Sequence, residues 1–212
     1  DHPRANEYYE ILTHSGIKSY QTISCQQGIS SILYKEGKIE EAVHILDNTI
    51  KESAVKGMAG LELNARWGRL LQVRKDISVE AFDREGNEIH AEMTRRGMLD
   101  ARIYEFLIPA LGAEMRAELD EALRIYNEME DYLAGVGNIW EEFKALKKII
   151  TLCQATGQDS RAAKARVNEL LTDLGKKATH PAIKGSFIKF RNKWKRYVND
   201  VSTQKVYKHK HI

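Results

Sequence analysis

Four times along the chain a turn position is followed five residues later by an alanine: Gly37 by Ala42, Asp76 by Ala81, Ala117 by Ala122 and Gly157 by Ala162. Successive alanines stand 39, 41 and 40 residues apart. That length accommodates two helices and their turns, and a lone helical hairpin leaves an apolar face uncovered until a neighbour stacks on it. The expected fold is therefore all-α, a superhelical array of antiparallel helical hairpins with about ten helices.

The residues around Gly37 show how each turn is made. Lys35 lies in the last turn of one helix, Gly37 supplies the positive φ that closes it, and Glu40 and Glu41 favour the first turn of the next helix through its dipole. Ala42 is small where two helices cross. Only Pro3, Pro109 and Pro181 interrupt a chain rich in Ala, Leu, Glu, Lys and Arg, so no segment has to be a strand.

The pattern predicts a helix at 4–14, then hairpins of 17–36 with 38–55, 57–74 with 77–96, 99–115 with 117–135 and 138–156 with 158–175, and a last helix at 180–202. Ile39, Val43, Leu46 and Ile50 share one helical face, as do Trp140, Phe143, Leu146, Ile150 and Cys153, and both sets are expected in the core. Pro109 should kink its helix or end it early. Gly86, which costs a helix interior about 1 kcal/mol relative to Ala, is expected where a neighbouring helix comes close. Residues 1–202 then form one repeat domain with 181–202 as its capping helix, and 203–212 form a basic, disordered tail.

The spacing of Ser30, Tyr34, Gly37, Ala42 and Leu46 resembles a tetratricopeptide repeat (TPR), and Glu118, Ala122 and Tyr126 match its second helix. The other copies lack the Trp, Gly and Pro landmarks, and the period exceeds the roughly 34 residues of a standard copy. The chain in this respect is similar to the longer-helix TPR-like arrays at the C-terminal end of bacterial signal-transducing ATPases and of regulators of the maltose-activator type. The segment from Lys176 through His180 and Pro181 to Ser186 and Phe187 adds to the likeness, since such arrays often close with a Pro-containing turn into a last helix bearing a Ser-Phe pair. The resemblance covers about residues 4–195. It implies a sensor or scaffold arm without an active site.

The residues themselves point the same way. The longest apolar stretch, from Leu107 to Leu111, falls far short of the roughly 20 residues that span a bilayer. The chain starts at Asp1 with no signal-peptide pattern and reads as part of a larger protein. Cys25 and Cys153 lie 128 residues apart inside helical patterns, which fits buried thiols in a reducing, cytoplasmic setting. The histidines at 2, 14, 44, 90, 180, 209 and 211 form no metal-ligand motif, and the tail pair His209 and His211 reads as part of a basic end. Acidic runs such as Glu40 with Glu41, or Glu128-Met129-Glu130-Asp131, place adjacent acids on different faces of a helix and are expected in solvent. No phosphate loop or nucleophile signature is present, so no catalytic residue, metal or cofactor is assigned.

Charge is unevenly spread. From Lys176 onward nine Lys and two Arg face the single acid Asp200, while the formal net charge of the whole chain is only +3. In the last helix Ile183, Phe187, Phe190, Trp194, Tyr197 and Val201 form an apolar stripe, and Lys184, Lys189, Arg191, Lys193, Lys195 and Arg196 are expected opposite it. A basic amphipathic helix can meet a membrane surface, an acidic partner or nucleic acid, but an array end also needs a cap. The register favours the cap, because Ile183 lies forty residues after Phe143.

Projecting the first helix of each hairpin inward gives a concave groove lined by Gln27, Ser31, Tyr34, Lys35, Arg66, Arg69, Arg74, Lys147 and Gln154. Such a basic groove suits a protein or peptide partner, an acidic one above all, or another domain of the parent chain. The expected function is a protein-interaction scaffold of a larger signalling protein; the alternative is a nucleic-acid- or membrane-associated module acting through the basic C-terminal segment.

Overall fold

A computed structural model describes residues 20–203, with side chains described for 23–180 and 183–197. The expected helix at 4–14 and the tail at 204–212 lie outside the described residues. Within them the fold is all-α. The helices are α1 (Tyr20–Lys35), α2 (Ile39–Val55), α3 (Ala59–Val73), α4 (Val79–Arg95), α5 (Ala101–Met115), α6 (Leu119–Val136), α7 (Ile139–Thr156), α8 (Arg161–Lys177) and α9 (Pro181–Thr203). Short turns between helices that pack on each other make consecutive helices antiparallel.

The turns share one device. Residues 37, 57, 97, 137 and 157 are glycines with φ between +65° and +81°, and Ala117 takes the same left-handed conformation at φ +59°. At the first of them the Gly37 N–H donates to the Tyr34 carbonyl and the Lys38 N–H to the Leu33 carbonyl, which satisfies the last carbonyls of α1; equivalent paired bonds follow α2, α4, α5 and α6. The chain thus closes a helix every twenty residues, and the forty-residue period is two such steps.

Ala117 is the exception in composition, since a Cβ disfavours that conformation. Ala117→Gly is expected to stabilise the fold by about 1 kcal/mol. A rise of about 2–4 °C in melting temperature would register it, and no rise would show that the strain is relieved elsewhere.

Between α3 and α4 the device is replaced. The Asp76 N–H donates to the Val73 carbonyl at 2.8 Å, and the Ser78 hydroxyl caps α4 by accepting from the Ala81 N–H at 3.2 Å. This turn is longer than the one after Gly37, and the buried residue of the helix start moves with it. Ala42 and Ala122 are fully buried, but in α4 the equivalent place belongs to Phe82 and Ala81 is only half-buried. In α8 it is Ala163 that is buried, and Ala162 is exposed. Counted from the residue that caps each helix, the register is more regular than counted from the turn.

By contact the chain divides into two compact units, one ending at Ile108 and one beginning at Pro109. In the first, α2 packs on α1 and α3, and α3 on α4, around Leu46, Leu63, Leu70, Phe82 and Ile89. Gly86 admits the side chain of Ile108 from α5: a Cβ there would stand 3.2 Å from Ile108 Cγ1, the close approach its helix position called for. In the second unit α7 packs on α6 and α8 around Tyr126, Met129, Leu133, Leu146 and Ile150. The division falls inside α5, which does not end at Pro109 but continues to Met115.

Of the expected core residues, Val43 and Ile50 are half-buried and two are exposed. Ile39 is 43% exposed and Trp140 is 61% exposed. Each lies in the first turn of its helix, where a side chain that points back toward the N-terminus has no preceding turn to lie against. Cys153 is buried, and burial pushes its thiol pKa up; Cys25 is half-buried.

On α4 the guanidinium of Arg95 clasps Glu92 at 2.6 and 2.7 Å and Arg96 donates to the same carboxylate. Arg95 first, then Arg96, lowers the Glu92 pKa from 4.5 to about 2. Because the folded pKa lies below the unfolded one, this contribution is present above pH 4.5 and is lost as pH falls toward 2. Glu92→Gln should therefore lose less stability than the parent chain between those pH values in acid-titrated thermal melts. Equal losses would show that the clasp does not act on stability.

Candidate partner-binding site

The residues projected into a groove fall into separate settings. On α1, Gln27, Ser31 and Tyr34 follow one stripe at steps of four and three. Gln27 Nε2 donates to the Leu61 carbonyl of α3 at 2.9 Å, Ser31 donates to the Gln27 carbonyl at 3.0 Å, Tyr34 is half-buried and Lys35 is exposed. The arginines of α3 turn toward the second helices of the hairpins: Arg69 Nε donates to Asp47 of α2 at 2.6 Å, and Arg66 lies 3.6 Å from Glu88 of α4. Arg74 is half-buried just past the end of α3. Carboxylates thus engage Arg66 and Arg69.

Beneath that stripe lies a polar network absent from the groove projection. Gln72 Nε2 donates to Ser30 Oγ at 2.8 Å, Ser30 donates to the Ala42 carbonyl at 2.9 Å, and Thr49 donates to Gln26 at 2.9 Å. Ser30 and Thr49 are fully buried, so these bonds tie α1, α2 and α3 together at fixed register.

In the second unit, Lys147 and Gln154 belong to α7, and α9 lies against the start of their face. Phe190 stands edge-on to Trp140 and to Phe143, each at 5.4 Å between centroids, and Trp194 is 4.9 Å from Phe143. The Tyr197 hydroxyl pairs with Thr151 at 2.8 Å, and Lys147 Nζ sits 5.4 Å from the Tyr197 ring centre, a cation–π distance. Burial raises the Tyr197 pKa. Gln154 is half-buried. On α8, Gly175 makes room for Phe187, whose ring would be 3.2 Å from a Cβ at that position.

Ile183 departs from the stripe. It is 58% exposed, so the register with Phe143 does not bring it into the packed face, and contact begins at Phe187. The side chain of Val201 is outside those described. Beside this packing Trp140 keeps most of its surface free.

The six cations of α9 do not form one face. Lys184, Arg191 and Lys195, at steps of seven and four, follow the flank toward α8; Lys189, Lys193 and Arg196, at steps of four and three, follow the other. Between Pro181 and Asn199 there is no carboxylate. Arg196 Nε donates to the Asn192 carbonyl at 3.4 Å, and the four lysines are exposed.

Elsewhere the acids are structural. Arg124 joins Glu121 and Glu128 on α6, and Lys148 and the Tyr126 hydroxyl both donate to Glu114 at 2.7 Å. Among the described residues no group of three or more His, Cys, Asp or Glu is placed to hold a metal ion, and no helix is long and apolar enough to cross a membrane.

No family model matches the chain, and no curated protein matches it at a significant level. Among solved structures it is similar to the crystal structure of nearly identical TPR-like repeats from a Podosopora anserina protein described as a kinesin light chain, with 12% sequence identity and a TM-score of 0.50 over 88% of this chain and 96% of that one. This chain has the fold of a TPR-like helical repeat.

The likeness is one of fold, and it agrees with the Gly37 and Ala42 signature read from the sequence. What the TPR-like pattern did not reveal is how the side chains of neighbouring helices meet. Asp47 and Glu88 sit on helices whose angular placement was not projected, so their engagement of Arg69 and Arg66 was missed. The split of the α9 cations was available from their spacing alone.

Proposed function

We propose that this TPR-like domain is a protein-interaction scaffold of a larger cytoplasmic signalling protein, and that it docks an acidic peptide or partner domain on the cationic flanks of α9 beside Trp140. The observation that carries this reading is the charge of α9: six cations and no carboxylate from Pro181 to Asn199, next to an indole that is 61% exposed. Exposed tryptophan and arginine are the residue types that most often anchor a protein interface. A field of one sign speeds encounter with a partner of the other. Arg66 and Arg69, already engaged by carboxylates, offer less to an incoming acid.

The test is calorimetric titration of the chain with a library of acidic peptides, with single-stranded RNA and with anionic vesicles, each at low and high salt. The reading predicts saturable peptide binding that falls about tenfold or more in Lys189→Glu with Lys193→Glu, and that is unchanged in Arg66→Ala with Arg69→Ala. RNA or vesicle binding stronger than any peptide, lost in the same charge reversal, would assign α9 to nucleic acid or membrane instead.

A further inference from the structure

The flank of α9 that faces α8 borders a groove of about 670 Å³. Its lining includes four cations, Lys176 from α8 and Lys184, Arg191 and Lys195 from α9, and no carboxylate. Lys176 shares its charge with Asp173 at 3.1 Å, while Lys184 and Lys195 are exposed on α9. Arg191 is different. Its guanidinium lies 6.0 Å from the centre of the Phe187 ring, and its Nε is buried with no hydrogen-bond partner.

A buried N–H is normally paired, and one left open beside a groove calls for an acceptor supplied from outside. We propose that this groove binds a phosphate monoester, with the Arg191 Nε–H and a terminal N–H gripping two of its oxygens. The fork of a guanidinium matches phosphate oxygens in pairs, and the Phe187 ring lies at cation–π distance from it. The charge count favours phosphate over carboxylate. A monoester carries close to two negative charges on three free oxygens, enough to engage Lys184 and Lys195 as well as Arg191; one carboxylate would leave two of the three cations uncompensated. Phe187 and the half-exposed Ile188 offer the carbon body of the ligand an apolar wall.

This inference deepens the acidic-partner reading and rests on it only where the phosphate is carried by a peptide. The test titrates the full chain with a phosphoserine peptide, with the same peptide bearing glutamate in its place, and with adenosine monophosphate. At least one phosphate-bearing ligand should bind about tenfold tighter than the glutamate peptide. Arg191→Lys, which keeps the charge and removes the fork, should erase that preference, whereas Lys75→Ala, exposed in the turn between α3 and α4, should leave it intact. An unchanged thermal melt of Arg191→Lys confirms that the helix pair is in place.

Preference for the peptide identifies a partner's side chain as the source, and preference for the nucleotide identifies a free metabolite. Equal binding of phosphoserine and glutamate peptides with no nucleotide binding, or full phosphate binding in Arg191→Lys, overturns the pocket. If both peptides still bind equally, the scaffold reading survives that result. If the nucleotide binds and neither peptide does, the pocket stands and peptide docking on α9 falls.

Discussion

Arg166→Ala is expected to cost the fold about 3–5 kcal/mol, the penalty of stranding a buried charge. Glu142 of α7 is 1% exposed, and its carboxylate accepts from Arg166 Nε of α8 at 2.7 Å. The same guanidinium lies 3.8 Å from Glu130 of α6 and 3.3 Å from Glu169. One cation thus binds three helices of the second unit and keeps two carboxylates compatible in little space. Burial and then the charge of Glu142 raise the Glu130 pKa even with Arg166 present.

Without Arg166, which pulls it down, the Glu130 carboxyl would be raised further. A raised folded pKa favours the protonated folded state, so the loss should be fullest at neutral pH and shrink as pH falls toward the ordinary 4.5. Urea midpoints at pH 7 and pH 5 check this. A loss below about 1 kcal/mol, or one independent of pH, would show that water reaches Glu142. Glu142→Leu combined with Arg166→Met should recover most of the stability, because it removes the buried carboxylate together with its cation and leaves only the less buried Glu130.

Phe82→Ala should cost about 3–5 kcal/mol through the cavity it leaves. Phe82 is fully buried, and its ring lies 6.2 Å from that of Trp67, which stands edge-on to Tyr104 at 4.8 Å. It occupies the place that Ala42 and Ala122 hold in their own helices, so the first unit fills this crossing with a ring where those crossings take a methyl. Ala81, the residue singled out by counting from the turn, is half-buried, and Ala81→Ser should cost less than about 1 kcal/mol. Chemical denaturation followed by circular dichroism separates the two. Equal costs would mean that the register runs through Ala81 after all.

That one-residue error shows where the sequence stops being legible. Helix ends were readable because a left-handed residue is a local demand: Gly37 and Gly157 mark them without reference to any other part of the chain. Glycines at 57, 97 and 137 carried the same message and reveal a twenty-residue step, which counting alanines concealed. The buried face was less legible, because the turn before α4 is longer than the turn before α2, and a one-residue error in where a helix begins turns the face read from it by about 100°.

The groove was the least legible part, since an inward-facing arginine differs from one facing the adjacent helix only by the neighbour it meets. For Arg69 that neighbour is Asp47, 22 residues away in sequence. On α9 the opposite holds. Steps of seven and four against four and three already separate two cationic flanks, and only the orphaned Arg191 Nε needed the folded chain.

The three tryptophans supply the decisive measurement of where a partner meets this domain. Trp67 lies in the first unit at 9% exposure, Trp140 is 61% exposed at the start of α7, and Trp194 is packed between α9 and Phe143. Their indole N–H resonances can be followed by NMR while an acidic peptide is added at low salt. Docking on α9 predicts that the Trp140 and Trp194 signals shift in a saturable, salt-sensitive way while Trp67 stays in place. A shift of Trp67 with Trp140 and Trp194 unmoved would contradict the account and put the partner against the arginines of α3.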